Sequence, residues 1–431
     1  MQWALNPIGY LETNQQRYGD FFGALISPVN KQPLVFVSHP EALQYILTRD
    51  ATPEITAPGE ANRIVEPLVG SRSVILLSGS DHRRHRKLMV PPFHGERLKV
   101  YSELICDITK EVAATWQPGQ PFTARVAMQQ ITMQVILRAV FGLDIGSRYE
   151  QLQQKLTQRL DMVSSPLASL LIFFPILKKD LGSWSPGYRV SQMAEACDQL
   201  MYKEIRERRN QDTAHRTDVL SLLLAARDEQ GEGLDDQSLR DELMTLLVAG
   251  HETTATAITW ALYWIYSRPE IYHRLLDELN SCDRTDPLAV TRLPYLTAVC
   301  NETLRIYPVA VLTFPRRAEK PIDLQGYHIE AGTLLMGCIY LTHHHPDLYK
   351  HPEQFNPDRF LDHTYSPYEF LPFGGGVRRC VGAALAQMEM KLVLSTLLTT
   401  TSLKLVNKKP VRPQRRGVTL GSSPVILQCD K

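Results

Sequence analysis

The stretch Phe373-Gly-Gly-Gly-Val-Arg-Arg-Cys-Val-Gly382 puts one cysteine in a glycine-rich loop, beside two arginines and just ahead of an apolar helical pattern. That pattern runs from about Gly382 through Ala383, Leu385, Met388, Met390, Leu392 and Leu397. A sulfur at a helix N-terminus feels the positive end of the helix dipole and free backbone N–H groups, and both favour thiolate over thiol. Glycines adopt angles that other residues avoid and let a flat ligand approach closely. Arginines bind carboxylates. Together these features suit a heme whose iron is held by cysteine. A lone cysteine is more often a packing residue, but packing has no need of glycines and arginines at fixed positions around it.

Composition sets the outer limits. The chain has 431 residues, with 47 basic against 46 acidic side chains, a balance that argues against a general nucleic-acid binder. No Gly/Ser-rich or Pro-rich linker and no solenoid or propeller repeat divides it, so residues 1–431 read as a single domain. The seven cysteines are scattered, with no Cys-x-x-Cys pair. This excludes a disulfide framework or structural zinc site and fits a reducing cytoplasm. The N-terminus lacks the pattern of a secretory signal. No run reaches the roughly 20 apolar residues of a membrane span; the nearest, Pro166 to Leu177, is short and holds two prolines.

Periodicity predicts a mainly α fold with a minor β region. Phe21–Ile26 and Leu34–Ser38 read as short strands, followed by a helix through Leu43, Ile46 and Leu47. A basic helical segment runs from about Asp81 to His94, ending near Pro91-Pro92. Helical spacing continues over 99–116, 124–142, 147–163, 187–210 and 217–227. The longest helix is expected from about Ser238, as N-cap, to Ser267, closed by Pro269. Helices near 269–280 and 294–306 precede short strands and turns over about 310–340.

The long helix is apolar nearly all round, which marks it as buried, yet its middle reads Ala249-Gly250-His251-Glu252-Thr253-Thr254. Glycine weakens a helix interior by about 1 kcal/mol relative to alanine. Buried carboxylates and hydroxyls cost more unless satisfied. Broken local rules at one place tend to mark function. Read alone, the segment equally fits Glu252 turned to a surface arginine and Thr253 bonded back to the preceding turn.

The spacing Phe373-x-x-Gly376-x-Arg378-x-Cys380-x-Gly382 resembles the heme loop of the cytochrome P450 family, and the other motifs follow in that family's order. The resemblance implies the cytochrome P450 fold, a long central helix over heme b, and Cys380 as axial iron ligand, with Phe373 and Gly382 completing the loop. Gly250 would leave room for dioxygen, Thr253 would hydrogen-bond the reduced oxygen, and Glu252 would help bring in protons. Glu302-Thr-Leu-Arg305, with Arg359 of Pro357-Asp-Arg-Phe360, resembles the buried triad that locks the cysteine loop. Arg378, His82, Arg86 and Arg316 (or its neighbour Arg317) would bind the heme propionates.

The same resemblance implies a monomeric monooxygenase that uses O2. The chain holds no flavin, nicotinamide or iron–sulfur motif of its own. Electrons from NAD(P)H would therefore arrive through a reductase and a ferredoxin or flavodoxin. The docking face would carry Arg83, Arg84, His85, Lys87 and Arg379. Segments 63–77, 162–177 and 309–313 would cover, roof and line the substrate pocket. They are apolar, as a fatty acid or terpenoid would require. The wording around 82–95 and 342–360 is similar to bacterial, in particular cyanobacterial, members. Only about twenty residues precede Phe21, fewer than the family usually has.

Two other classes compete. A peroxide-using or hydroperoxide-rearranging member of the same fold needs no redox partner, but such members often lack the acid–alcohol pair. A heme or metal sensor could be built around His343-His344-His345 and His351, whose spacing is not that of a zinc site.

Overall fold

The computed structural model describes residues 2–24, 33–95, 97–143, 145–164, 182, 185–213 and 215–430. Its longer helices, in chain order, are α1 (Pro7–Tyr18), α2 (Pro40–Thr48), α3 (Gly79–Met89), α4 (Arg97–Ala113) and α5 (Ala124–Ala139). They continue with α6 (Ser147–Ser164), α7 (Pro186–Arg209), α8 (Val219–Ala225), α9 (Asp236–Tyr266), α10 (Pro269–Asn280), α11 (Pro294–Ile306) and α12 (Ala383–Thr400).

Helix α9 is the axis of the molecule. Its 31 residues span about 46 Å at 1.5 Å per residue, and α5, α7, α11 and α12 all pack on it. Leu239, Leu243, Leu247, Ala255, Ile258, Ala261 and Ile265 are fully buried along it, as an all-round apolar pattern requires. The cap is Asp235 rather than Ser238: the Asp235 side chain accepts from the Ser238 N–H. A carboxylate at this position gains from the helix dipole as well as the hydrogen bond, so the helix starts earlier than the serine suggests.

Five strands form the main sheet: β1 (Phe21–Ala24), β2 (Leu34–Val37), β3 (Ile55–Thr56), β5 (Arg316–Ala318) and β8 (Leu334–Gly337), in the order β1-β2-β8-β5-β3; β4 (Pro121–Thr123) lies outside it, and β6 (Ile322–Leu324) and β7 (Tyr327–Ile329) pair as a separate hairpin. β2 and β8 are parallel, Leu34 opposite Leu334 and Val37 opposite Gly337. Helix α2 closes one face with Leu43, Ile46 and Leu47, which pack with Ile55, Leu335 and Leu371.

Two regions exceed the sequence reading. Helix α1 precedes the first strand, its Leu11 packing with Phe22 and Phe36. The last thirty residues form β9 (Leu403–Leu405), β10 (Pro413–Arg416), β11 (Thr419–Ser422) and β12 (Ile426–Cys429). β12 lies between β4 and β9, and β10 pairs with β11 across a tight turn with Gly417 at φ +59°. Only 162–164 of the expected roof fall within the described residues; 165–177 lie outside them, as do 25 and 26 of the first expected strand.

Candidate active site

The cysteine loop is fixed by its own backbone and by one carboxylate. The Cys380 N–H donates to the Phe373 carbonyl at 3.0 Å. Gly376 has φ +62°, and a Cβ there would meet Asp50 Oδ2 at 2.0 Å, so only glycine fits. Asp50, just past α2, accepts from the Val377 N–H at 3.0 Å and from Arg316 Nε at 2.8 Å. Burial pushes the Cys380 thiol up, while the Gly382 N–H, Arg86 and Arg379 pull it down. With the protein's own groups alone, burial outweighs these three, which are the ones that favour the thiolate.

Behind the loop, Glu302, Arg305 and Arg359 come together in the core. Arg305 donates through Nε to Glu302 Oε2 at 2.7 Å and through Nη2 to Oε1 at 2.9 Å. Arg359 Nε donates to Oε1 at 3.1 Å, and the Asn356 N–H adds a bond of 2.9 Å. The remaining guanidinium N–H groups go to the carbonyls of His343, Pro352, Lys350 and Gln354. Glu302 and Arg305 are 0% exposed. Burial at that depth persists because both carboxylate oxygens and all six guanidinium nitrogens have partners.

His82, Arg86, Arg316 and Arg378 converge near the loop. Burial and the neighbouring Arg378, Arg86 and Arg316 drive His82 down to about 3, so its ring is neutral at physiological pH. Arg378 is lowered to about 10 by burial and by Arg316 and Arg86. It donates to the carbonyls of Val74, Ala57 and Leu77 at 2.8, 2.6 and 2.6 Å, while its buried Nε has no partner. Arg316 is held by Asp50 and by the carbonyls of Phe314 and Gly375. Arg317 turns to Glu60.

The buried run of α9 opens at its middle. Ala249 is exposed, and Val248, Gly250, Glu252 and Thr253 are half-buried. Thr253 Oγ1 donates to the Ala249 carbonyl one turn earlier. Glu252 accepts from Arg125 Nη1 at 2.8 and 3.0 Å and from Gln129 Nε2 at 2.5 Å, both on α5. A Cβ on Gly250 would meet Ile136 of α5 at 3.2 Å, so the glycine also permits close helix contact. Thr254 is buried. His251 is buried too, lowered to about 4 by desolvation.

These features fit a heme. Cys380 is exposed, and the apolar run Val381–Ala386 beside it is half-buried, although α12 packs on α9 in the core. Accessible apolar residues on two facing core elements outline a cradle. The cations around the unpartnered Arg378 Nε supply the charge that carboxylates need. Phe373 lies half-buried at the loop's start, and Gly382 is the N-cap of α12.

Some residues lie elsewhere than expected. His85 is buried, its Nδ1 2.7 Å from Glu242 Oε1 of α9, so it does not face a partner. His343 accepts the Leu371 N–H through Nε2 and stacks on Phe370, and His344 bonds the Tyr340 carbonyl. Among the described residues no group of three or more His, Cys, Asp or Glu could hold a metal ion, which removes the histidine run as a metal centre. Asp50, Arg125 and Gln129 escaped the sequence reading, because each contributes through a contact with a distant segment and leaves no local pattern.

A cysteine in a constrained glycine loop, a cation cluster and an opened helix define a heme-thiolate protein. The family model for cytochrome P450 matches residues 4–429. Cytochrome P450 135B1 of Mycobacterium tuberculosis is 35% identical over 414 residues, covering 96% of this chain and 85% of that one. Cytochrome P450 138 of Mycobacterium bovis is 34% identical over 406 residues, covering 94% and 87%. In solved structures, retinoic acid-bound cyanobacterial CYP120A1 matches with a TM-score of 0.83 at 24% identity, covering 99% of this chain and 95% of that one. The cytochrome P450DA heme domain matches with a TM-score of 0.85 at 21% identity, covering 98% and 92%. The chain belongs to the cytochrome P450 family and is a heme-dependent monooxygenase of bacterial type.

Proposed function

We propose that this enzyme inserts one oxygen atom of O2 into a C–H bond of a lipophilic substrate, a fatty acid or terpenoid, with electrons from a separate carrier. The observation that carries this reading is the combination of the accessible Cys380 loop with an apolar helix α9 opened at a glycine, a carboxylate and a hydroxyl. The heme, when bound, supplies the site of O2 reduction. Cys380 would hold its iron, and Arg378, Arg86 and neutral His82 would donate to its propionates. Arg316, tied to Asp50, adds charge behind them. Glu302, Arg305 and Arg359 would keep the loop in place.

Thr253 would be free to turn its hydroxyl away from the Ala249 carbonyl to donate a hydrogen bond, and Glu252 would pass a proton inward from the Arg125–Gln129 side. This acid–alcohol pair supports the O2 route over peroxide use. The exposed Ala310 and half-buried Leu312 support an apolar substrate. Among the described residues no helix is long and apolar enough to cross a membrane. The reading is of a single-domain, monomeric, cytoplasmic enzyme fed from NAD(P)H through a reductase and a ferredoxin or flavodoxin.

The test has two steps. The reduced protein with carbon monoxide should give the red-shifted band of a thiolate-ligated heme; a histidine-type band overturns the ligand assignment. Titration with fatty acids, terpenoids and steroids should shift the iron spin state for one lipid class. Failure of every lipid overturns the substrate class.

A further inference from the structure

The basic helix α3 does not present all its charges to an incoming protein. Arg84 and Lys87 point toward the turn between α8 and α9, which reads Asp228-Glu-Gln-Gly-Glu-Gly-Leu-Asp-Asp236 and holds five carboxylates and no cation. Arg84 bonds Asp228 Oδ2 through Nε and the Gly233 carbonyl at 2.9 Å through Nη2. Lys87 Nζ lies 2.6 Å from Glu229 Oε1. Both acids are held below their ordinary range by these cations.

The turn is pre-organised. Asp228 Oδ1 accepts the N–H groups of Gln230 and Glu232 at 3.0 and 2.8 Å, the Asp228 N–H donates to the Glu232 carbonyl, and Gly231 takes φ +82°. One oxygen of Asp228 therefore ties the turn while the other holds Arg84. Glu229 is displayed at the tip against Lys87, and that pair is exposed on both sides, 68% and 75%. Exposed pairs are weak and screened by salt, so another carboxylate can displace one partner.

The adjoining surface has the opposite character. A concavity of about 360 Å³ is lined by His82, Arg83, Arg86, Lys87, Val90, Pro91 and Val377. Val377 stands three residues before Cys380, so the concavity abuts the iron-binding loop. Arg83 and Arg379 are exposed at its side of the molecule.

We propose that the 228–236 turn is a built-in competitor of an acidic electron carrier: it occupies Arg84 and Lys87 and confines docking to the Arg83–Arg379 side of this concavity. The proposal rests on the reading that an acidic carrier delivers electrons at this face. Docking displaces Glu229 from Lys87, whereas Arg84 stays with Asp228. The turn also repels a carrier approaching from its own side, which selects one orientation by like-charge exclusion.

The experiment measures stopped-flow reduction of the heme-loaded protein by an acidic plant-type [2Fe–2S] ferredoxin across ionic strength. Dithionite reduction and the carbon monoxide spectrum serve as controls for heme integrity. Glu229→Gln should raise the second-order rate about twofold or more at low salt, with the gain lost near ~0.5 M salt. Arg83→Gln and Arg379→Gln should lower it about threefold or more, and Arg84→Gln should change it less than either. If the arginine variants slow reduction but Glu229→Gln does not speed it, the competitor proposal falls alone. If none of the variants changes the rate, the docking face lies elsewhere and both readings fall.

Discussion

The cysteine side of this site and the α9 side hold their polar groups in opposite ways. On the cysteine side, Glu302 and Arg305 are fully buried, and backbone carbonyls and N–H groups take up the remaining valences. On the α9 side, Glu252 is half-buried and held by two side chains, and Thr253 bonds only its own preceding turn. Backbone partners cannot rotate away, but side-chain partners can. The first arrangement suits a group that must hold one geometry through every turnover. The second suits groups that must release and regain protons.

The contrast breaks most readily at the buried triad. Glu302→Gln leaves two buried guanidinium groups without a counter-charge, and Arg305→Leu strips Glu302 and the His343 and Pro352 carbonyls of the donor they share; each should cost about 3–5 kcal/mol. The readout is heme per polypeptide in purified protein, which should fall to near zero. A variant with full heme and an unshifted melting temperature would remove the rigid half of the comparison.

Glu389 on α12 tests the same half through pH. It is fully buried, with no counter-charge, and burial raises its carboxyl from the usual 4.5 to about 8. Folding therefore takes up a proton between roughly pH 4.5 and 8, and stability should fall as pH rises through that window. Below the window both states are protonated and nothing is lost. Glu389→Gln should flatten the profile and gain on the order of 4 kcal/mol at pH 9 relative to the parent. Denaturant unfolding at pH 5 and pH 9 checks this; parallel profiles for the two proteins would refute it.

On the α9 side, Thr253→Ala and Glu252→Gln should retain heme and the thiolate band. Product formed per electron consumed should drop about 10- to 100-fold, the balance appearing as released peroxide. Loss of heme in either variant would show that this side is structural too. The smallest effect is expected for Arg125→Met, which touches Glu252 and not the cofactor cradle. Coupling should fall about two- to fivefold, because Gln129 still holds Glu252 when Arg125 is gone.

What the sequence disclosed follows the range of each interaction. The cysteine loop and the Glu302–Arg305 pair are written within ten residues and could be read directly. The opened middle of α9 was visible as a glycine, a carboxylate and hydroxyls inside an apolar run. The burial of His85 was not visible, because its partner Glu242 lies 157 residues away. Helix α1 was missed because its weak apolar stripe gains its burial from Phe22 and Phe36. The terminal strands are three or four residues each: β12 owes its place to pairing with the distant β4, and β10 and β11 form only a short local hairpin. The helix cap was misplaced by three residues because two good capping side chains, Asp235 and Ser238, compete at one end.

Asp50 has a consequence for how the protein is made. Its carboxylate receives the Val377 N–H from 327 residues away and Arg316 from 266 residues away. The cysteine loop thus stays incomplete until the chain has been made past residue 377. Contacts of such sequence separation form late because their loop-closure entropy must first be overcome. On the proposed assignment of Cys380, heme capture follows formation of the sheet and α9, and a nascent chain halted before residue 380 has both in hand but lacks the iron's ligand.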